Sequence, residues 1–243
     1  MMKLYVLGMN GPFPEPDGAT SGYILVSGHT KICMDLGSGT LQRLTGLMEP
    51  ADLDVLFFTH WHYDHCSDVL PLLYRLQATG KRLRVIGPAD AASPIRAILE
   101  KDPQVDLETA APGDCFEIGG LQVKVFKAVH PVPAVMLRIC DGQHTLCYTG
   151  DTNLHDQLLP FAQGADLLLA DGLFTEETWG SGKPHLSAKQ CAELARDAGV
   201  GRLVITHLNP FLDKGTLLSQ ARQAFPASEL AQTGMCCRIG DEG

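Results

Sequence analysis

Thr59-His60-Trp61-His62-Tyr63-Asp64-His65 follows directly on the apolar run Val55-Leu56-Phe57-Phe58. Titratable side chains packed this densely beside a buried strand are costly unless they bind something. Imidazole and carboxylate are the usual protein ligands of zinc where thiolates are absent. His60 and His62 lie two apart, so at an extended strand end they point the same way. Asp64 and His65 come where the chain must turn. One segment can thus offer two ligands to each of two neighbouring metals. The alternative is a surface loop rich in histidine by chance, and the density of the pattern argues against it.

A single H-x-H-x-D-H segment cannot close two sites, so further ligands are expected at other strand ends. His130 follows the alternating run Val123–Val129. Asp151 follows Tyr148-Thr149-Gly150. His207 follows Leu203-Val204-Ile205. Each alone could also be a polar loop residue, the lesser of the two readings. Together they sit where a mixed sheet opens into a shared crevice.

Working outward, residues 3–8 read as a buried strand, followed by a loop with Pro12, Pro14, Pro16 and Gly18. Strands are predicted near 22–27, 31–35, 55–58 and 83–87, and helices after Gly39, over Val69–Leu76 and near 91–100. Beyond residue 112 the pattern changes. Leu121, Val123 and Val125 alternate with polar residues, as do Val135, Leu137 and Ile139, and a strand at 144–149 follows the turn Asp141-Gly142. Strand–helix alternation then returns, with strands at 166–170 and 202–206 and helices at 187–198 and 214–224. Ser187 and Gln190 have capping-box spacing, and Gly199 is placed to cap the other end. Two mixed halves predict an α/β fold of two packed sheets flanked by helices, an αββα sandwich.

The chain has 243 residues, 45% hydrophobic and 19% charged, which fits one domain over 1–243. No apolar run approaches the roughly 20 residues that span a bilayer, and the start, Met1–Gly8, is too quickly broken for a signal peptide. No membrane association and a cytoplasmic location are expected. The cysteines Cys33, Cys66, Cys115, Cys140, Cys147, Cys191, Cys236 and Cys237 are scattered and form no C-x-x-C pair. Most are expected to be small buried hydrophobes rather than a disulfide scaffold. The net charge of −9 with only 19 Lys plus Arg argues against an extended nucleic-acid surface.

The set His60, His62, Asp64, His65, His130, Asp151 and His207 resembles the motif series of the metallo-β-lactamase superfamily, in its ribonuclease Z-like branch. The resemblance extends to Leu7-Gly8 with its Pro-rich loop, to Asp35-Leu36-Gly37-Ser38-Gly39-Thr40, to Tyr148-Thr149-Gly150-Asp151-Thr152, to His185-Leu186-Ser187-Ala188-Lys189-Gln190 and to Thr206-His207-Leu208-Asn209-Pro210. It implies that one metal takes His60, His62 and His130, that the other takes Asp64, His65 and His207, and that Asp151 bridges them. The ions are expected to be two Zn2+, with Mn2+ or Fe2+ as alternatives. His185 resembles the histidine of this branch beside the scissile phosphate, where it positions substrate or donates a proton; the alternative is that it merely precedes the helix at 187. Asp35 resembles an aspartate that orients the ligands. His29 and His144 are read as solvated hairpin residues, His155 stays open, and Cys66 is read as packing. Gly37 and Gly39 make a turn or cradle a phosphate. By analogy with this fold's relatives, a homodimer is admitted.

Two cations a few ångströms apart can hold a hydroxide between them, with Asp64 at its side as a catalytic group. They outweigh the charge of Asp64, Asp151 and that hydroxide, so the site is cationic within an acidic protein and favours an anionic group. The chain departs from the tRNA-processing members in having one hairpin between His130 and Asp151 in place of a long basic arm. Its N-terminal loop, Pro14-Glu15-Pro16-Asp17-Gly18, is acidic, Asp171 stands where that branch often has Glu, and Gly37-Ser38-Gly39 lacks an acid often found between those glycines. The first expectation is therefore a phosphodiesterase using a metal-bridging hydroxide on a small or single-stranded phosphodiester. Alternatives are a tRNA 3′-end processing endoribonuclease, a thioester or lactone hydrolase of the same superfamily, and a non-enzymatic metal-binding sensor.

Overall fold

Residues 2–240 are described by a computed structural model. The first half runs β1 (Met2–Gly8), β2 (Gly22–Ser27), β3 (Thr30–Leu36), α1 (Thr40–Leu47), β4 (Val55–Phe57), α2 (Tyr63–Cys66), α3 (Val69–Thr79), β5 (Leu83–Pro88), α4 (Pro94–Leu99) and β6 (Val105–Ala110). The second runs β7 (Cys115–Ile118), β8 (Leu121–Lys127), β9 (Val135–Cys140), β10 (Thr145–Tyr148), α5 (Leu158–Ala162), β11 (Leu167–Asp171), α6 (Ala188–Asp197), β12 (Arg202–Thr206), α7 (Lys214–Ala224), β13 (Glu229–Leu230) and β14 (Cys236–Ile239).

These strands make two seven-stranded sheets, ordered β14-β1-β2-β3-β4-β5-β6 and β13-β12-β11-β10-β9-β8-β7. Each sheet is built the same way. Hairpin-connected antiparallel strands form one side, and parallel strands with helical crossovers form the other. The period of two sorts the side chains of β3. Ile32 and Met34 join the cluster that contains Val123, Leu137 and Ile139 of the second sheet, while Cys33 joins Leu72, Leu76, Ile95 and Leu99 of the helices outside. The first cluster fills the space between the sheets, and α1, α3 and α4 cover the outer face of the first sheet. On the far side α6 packs against β11 and β12, and α7 against α6. The molecule is the α/β sandwich that the pattern predicts.

The capping box at α6 is present in full, with Ser187 accepting from Gln190 N and Gln190 accepting from Ser187 N. The helix expected near 91–100 is shorter, because Ser93 caps it and Pro94 starts it. Six elements have no counterpart in the sequence reading: α2, β6, β7, α5, β13 and β14. In β6 only Val105 and Ala110 are buried, and its two carboxylates face arginines of the neighbouring segment, Glu108 with Arg84 and Asp106 with Arg82, so the local pattern reads as a loop. β14 completes the first sheet by pairing with β1 from the other end of the chain, which no local periodicity signals. His144 needs correction. It is half-buried rather than solvated, because a Cβ built on Gly240 would lie 1.8 Å from its ring, so the segment after β14 covers the hairpin. His29 is exposed as expected. Five of the eight cysteines are buried, and all eight are free thiols. No helix among the described residues is long and apolar enough to cross a membrane.

Candidate metal centre

The predicted ligands all leave strand ends on the same rim of the sandwich. His60, His62, Asp64 and His65 follow β4 of the first sheet. His130 follows β8, Asp151 follows β10 and His207 follows β12, all in the second. The structure gathers them into groups of ligand atoms that lie within 4.8 Å of one another: His60, His62, His130 and Asp151 in one, and Asp64, His65 and His207 in another.

In the first group the ring nitrogens converge. His62 Nδ1 lies 3.1 Å from His60 Nε2 and 3.1 Å from His130 Nε2, and Asp151 Oδ2 lies 3.6 Å from His60 Nε2. In the second, His207 Nε2 lies 3.1 Å from Asp64 Oδ2 and His65 Nε2 lies 3.7 Å from it. Asp151 reaches both groups. Its Oδ1 is 3.2 Å from His65 Nε2, and its Oδ2 is 3.4 Å from His207 Nε2.

The electrostatics divide the same way. Burial, then repulsion from His65, holds His60 well below the usual imidazole range; burial also lowers His62 and His130. Three neutral imidazoles thus turn lone pairs toward one point. Burial also opposes charge on His65 and His207, but the carboxylates win. Asp151, Asp35 and Asp64 hold His65 well above its ordinary value, and Asp151, Asp171 and Asp64 push His207 up to about 10. Against its own burial, Asp151 is kept well below the carboxylate range by His207, His65, His185 and His60. His65 Nε2 and Asp151 Oδ1 are buried without a hydrogen bond. Converging nitrogens, a carboxylate common to both groups and orphaned polar atoms fit divalent cations of the kind that imidazole and carboxylate prefer.

The other ring nitrogens of His60, His65 and His130 have polar partners behind them, as metal-binding histidines usually do. His65 Nδ1 donates to Asp35 Oδ2 at 2.9 Å. Asp35 is fully buried at φ 57 and also accepts from Thr59 N (2.8 Å), Thr59 Oγ1 (2.9 Å) and the Tyr148 hydroxyl (2.7 Å). Thr59 Oγ1 in turn lies 3.1 Å from His60 Nδ1. His130 Nδ1 donates to Pro184 O at 3.2 Å. His207 Nδ1 lies 3.5 Å from Asp171 Oδ1.

His185 is buried beside the second group, its ring stacked on His207 at 4.9 Å and 22°. Its Nδ1 donates to Asp171 Oδ2 at 2.7 Å. Asp171 therefore touches two of the site's histidines, a role the sequence marked only as a departure from a pattern. Tyr148 and Thr59 were missed entirely, since each acts through Asp35 across the fold. His155 and Cys66 join none of the clusters among the described residues. Cys66 Sγ donates to Trp61 O, and burial pushes its thiol up, which suits packing. Gly37 serves close approach: a Cβ there would lie 1.9 Å from Asp64 O.

The pattern of the β-lactamase superfamily domain matches residues 30–208. The probable metallo-hydrolase YhfI of Bacillus subtilis is 31% identical over 92% of this chain and 94% of its own. Its crystal structure superposes with a TM-score of 0.92 at 30% identity, covering 97% of this chain and 98% of that one. Ribonuclease Z of Methanopyrus kandleri is 27% identical over 96% of each chain. The short form of human tRNase Z shares the fold, with a TM-score of 0.78 at 20% identity over 98% of this chain and all of that one. The sandwich, the His/Asp clusters at its rim and these matches agree, and the chain belongs to the β-lactamase superfamily, in its ribonuclease Z-like branch of metallo-hydrolases.

Proposed function

We propose that this metallo-hydrolase is a binuclear phosphodiesterase carried by one domain and acting on a small or single-stranded phosphodiester. The observation behind it is Asp151, which stands within reach of both ligand groups. Divalent cations, Zn2+ first among them, would be held by His60, His62 and His130 on one side and by Asp64, His65 and His207 on the other, with Asp151 common to both. Bound there, they supply Lewis acidity and bring the pKa of water from about 15.7 to near 7.

The protein's own groups then have distinct tasks. Asp64, at the solvent edge of its group, orients the attacking water and accepts its proton. His185 is locked by Asp171 through Nδ1, so that in its doubly protonated form Nε2 is the nitrogen able to give a proton to the departing oxygen, leaving the neutral ring. The cationic site attracts a phosphate although the chain carries −9.

The ribonuclease Z relatives support a second reading, tRNA 3′-end cleavage. Against it stands the β9–β10 hairpin, which fills the whole connection from His130 to Asp151 and leaves no arm to grip a tRNA body. The free thiols fit a reducing, cytoplasmic setting. Turnover of bis(p-nitrophenyl) phosphate, of a chromogenic lactone and of a precursor tRNA, each at two salt concentrations, tests the proposal. The diester should be cleaved with a shallow salt dependence, since one or two phosphates are engaged. Efficient 3′ cleavage of the tRNA with steep loss on adding salt would establish the second reading instead.

A further inference from the structure

Two loops are fastened together beside the metal centre. Gly11 N donates to Leu208 O at 3.1 Å, and a Cβ on Gly11 would lie 2.2 Å from the His207 ring, so this backbone lies on the imidazole. Two residues on, Phe13 meets Phe211 with ring centroids 4.9 Å apart and planes at 55°. Beyond them Lys214 Nζ grips both oxygens of Glu15 at 2.8 and 2.9 Å. Phe211 is also fixed locally, its N–H donating to Asn209 Oδ1 at 2.9 Å.

These are not stray surface hydrophobes. Phe211 is 83% exposed and Phe13 37% exposed, yet each is tied to the other and to the backbone that carries His207. Phe13 Cα is at most about 7 Å from Gly11 Cα along the chain. The ring pair is thus anchored within two residues of the backbone that lies on His207. The ion pair with Lys214 compensates the charge of Glu15, while the exposed Asp17 and Asp213 keep the surrounding rim acidic, so the two rings are its apolar part and a further anion is disfavoured there. A neutral planar ring is the chemistry such a surface recognises, and stacking accepts any nucleobase.

We infer that Phe13 and Phe211 form a stacking platform for the nucleobase of a nucleoside phosphodiester whose phosphate sits at the metal centre. The inference rests on the phosphodiesterase reading and deepens it: the two rings would set specificity, not perform chemistry.

The test is calorimetric titration of the metal-loaded protein with thymidine 5′-monophosphate and, separately, with methyl phosphate. The nucleotide should bind about tenfold tighter. In Phe211→Ala and Phe13→Ala that ratio should fall to near one, and Phe211→Trp should keep it. Equal binding of the two anions by the unaltered protein, or a ratio that survives both alanine variants, overturns the platform. Light scattering is run on the same samples. A dimer lost in Phe211→Ala with the ratio unchanged would mean that a second copy of the chain covers these rings, and would overturn the platform. Turnover of bis(p-nitrophenyl) phosphate is scored separately. A phenylalanine-dependent ratio without turnover of any diester would uphold the platform and reject the phosphodiesterase reading.

Discussion

Asp171 Oδ2 accepts from His185 Nδ1 at 2.7 Å while Asp171 Oδ1 lies 3.5 Å from His207 Nδ1. One buried carboxylate thus holds His185 by a hydrogen bond and stands close behind His207 of the candidate metal group. Its own position is fixed by the Thr152 and Leu173 amides, which donate to it. Asp171→Ala should lower diester turnover by about 10- to 100-fold, as losses of groups behind metal ligands commonly do. It should also weaken retention of the metal near His207. His185→Ala should slow turnover with metal content unchanged. Metal analysis alongside kcat separates the two; identical metal loss in both variants would contradict the division of roles.

Asp151→Ala should remove activity and lower metal content from about two equivalents per chain, the binuclear expectation. His29→Ala should leave both intact, because His29 is exposed in its hairpin. His144→Ala should reduce stability slightly, since its ring supports Gly240, and leave metal content alone. Elemental analysis of protein purified without chelator checks all three. A wild-type value of one equivalent, unchanged by added zinc or manganese, would remove the binuclear basis.

Gly11→Ala should disable the centre without touching a ligand. The added methyl would stand 2.2 Å from His207 Cε1 and Nε2, far inside van der Waals contact, so the ring or the loop must move. A shift of that kind at a ligand should cost about tenfold or more in metal affinity. Competition with a chromogenic chelator measures it, and wild-type affinity would show that the loop yields instead.

Metal uptake should release protons. In the metal-free chain the surrounding carboxylates hold His65 well above its ordinary value and push His207 up to about 10, despite their burial, which favours the protonated rings. Ligation needs neutral imidazole, so metal uptake should displace protons. Affinity should therefore fall as the pH is lowered, because the competing proton is held more firmly. Zinc titration of chelator-stripped protein in weak buffer with a pH electrode checks this. Uptake with no release would place the metals elsewhere.

The candidate set that the structure brings together was legible because its members lie just beyond short apolar runs, a signal that needs only local sequence. The fold was legible where periodicity was strong, as in α6 with its capping box. What stayed hidden depends on distance along the chain. Asp171 reaches His185 across the loop between β11 and α6. Tyr148 reaches Asp35 from the other sheet. The acidity of Glu15 reads as repulsion in the sequence, but Lys214, 199 residues away, compensates it. β14 shows no hydrophobic pattern strong enough to announce that it extends the first sheet.

Both ligand groups draw on both sheets: His60 and His62 with His130, and Asp64 and His65 with His207. A metal here is therefore a rivet through the seam of the sandwich. The segment 60–65 alone offers each ion only half a shell, so a chain with one sheet formed has little to hold a cation with. Binding then counts almost wholly toward the finished molecule, and an ion present at a thousand times its dissociation constant adds about 4 kcal/mol to holding the two halves together. Chelation would act as a mechanical loosening of the sandwich as well as a chemical inactivation.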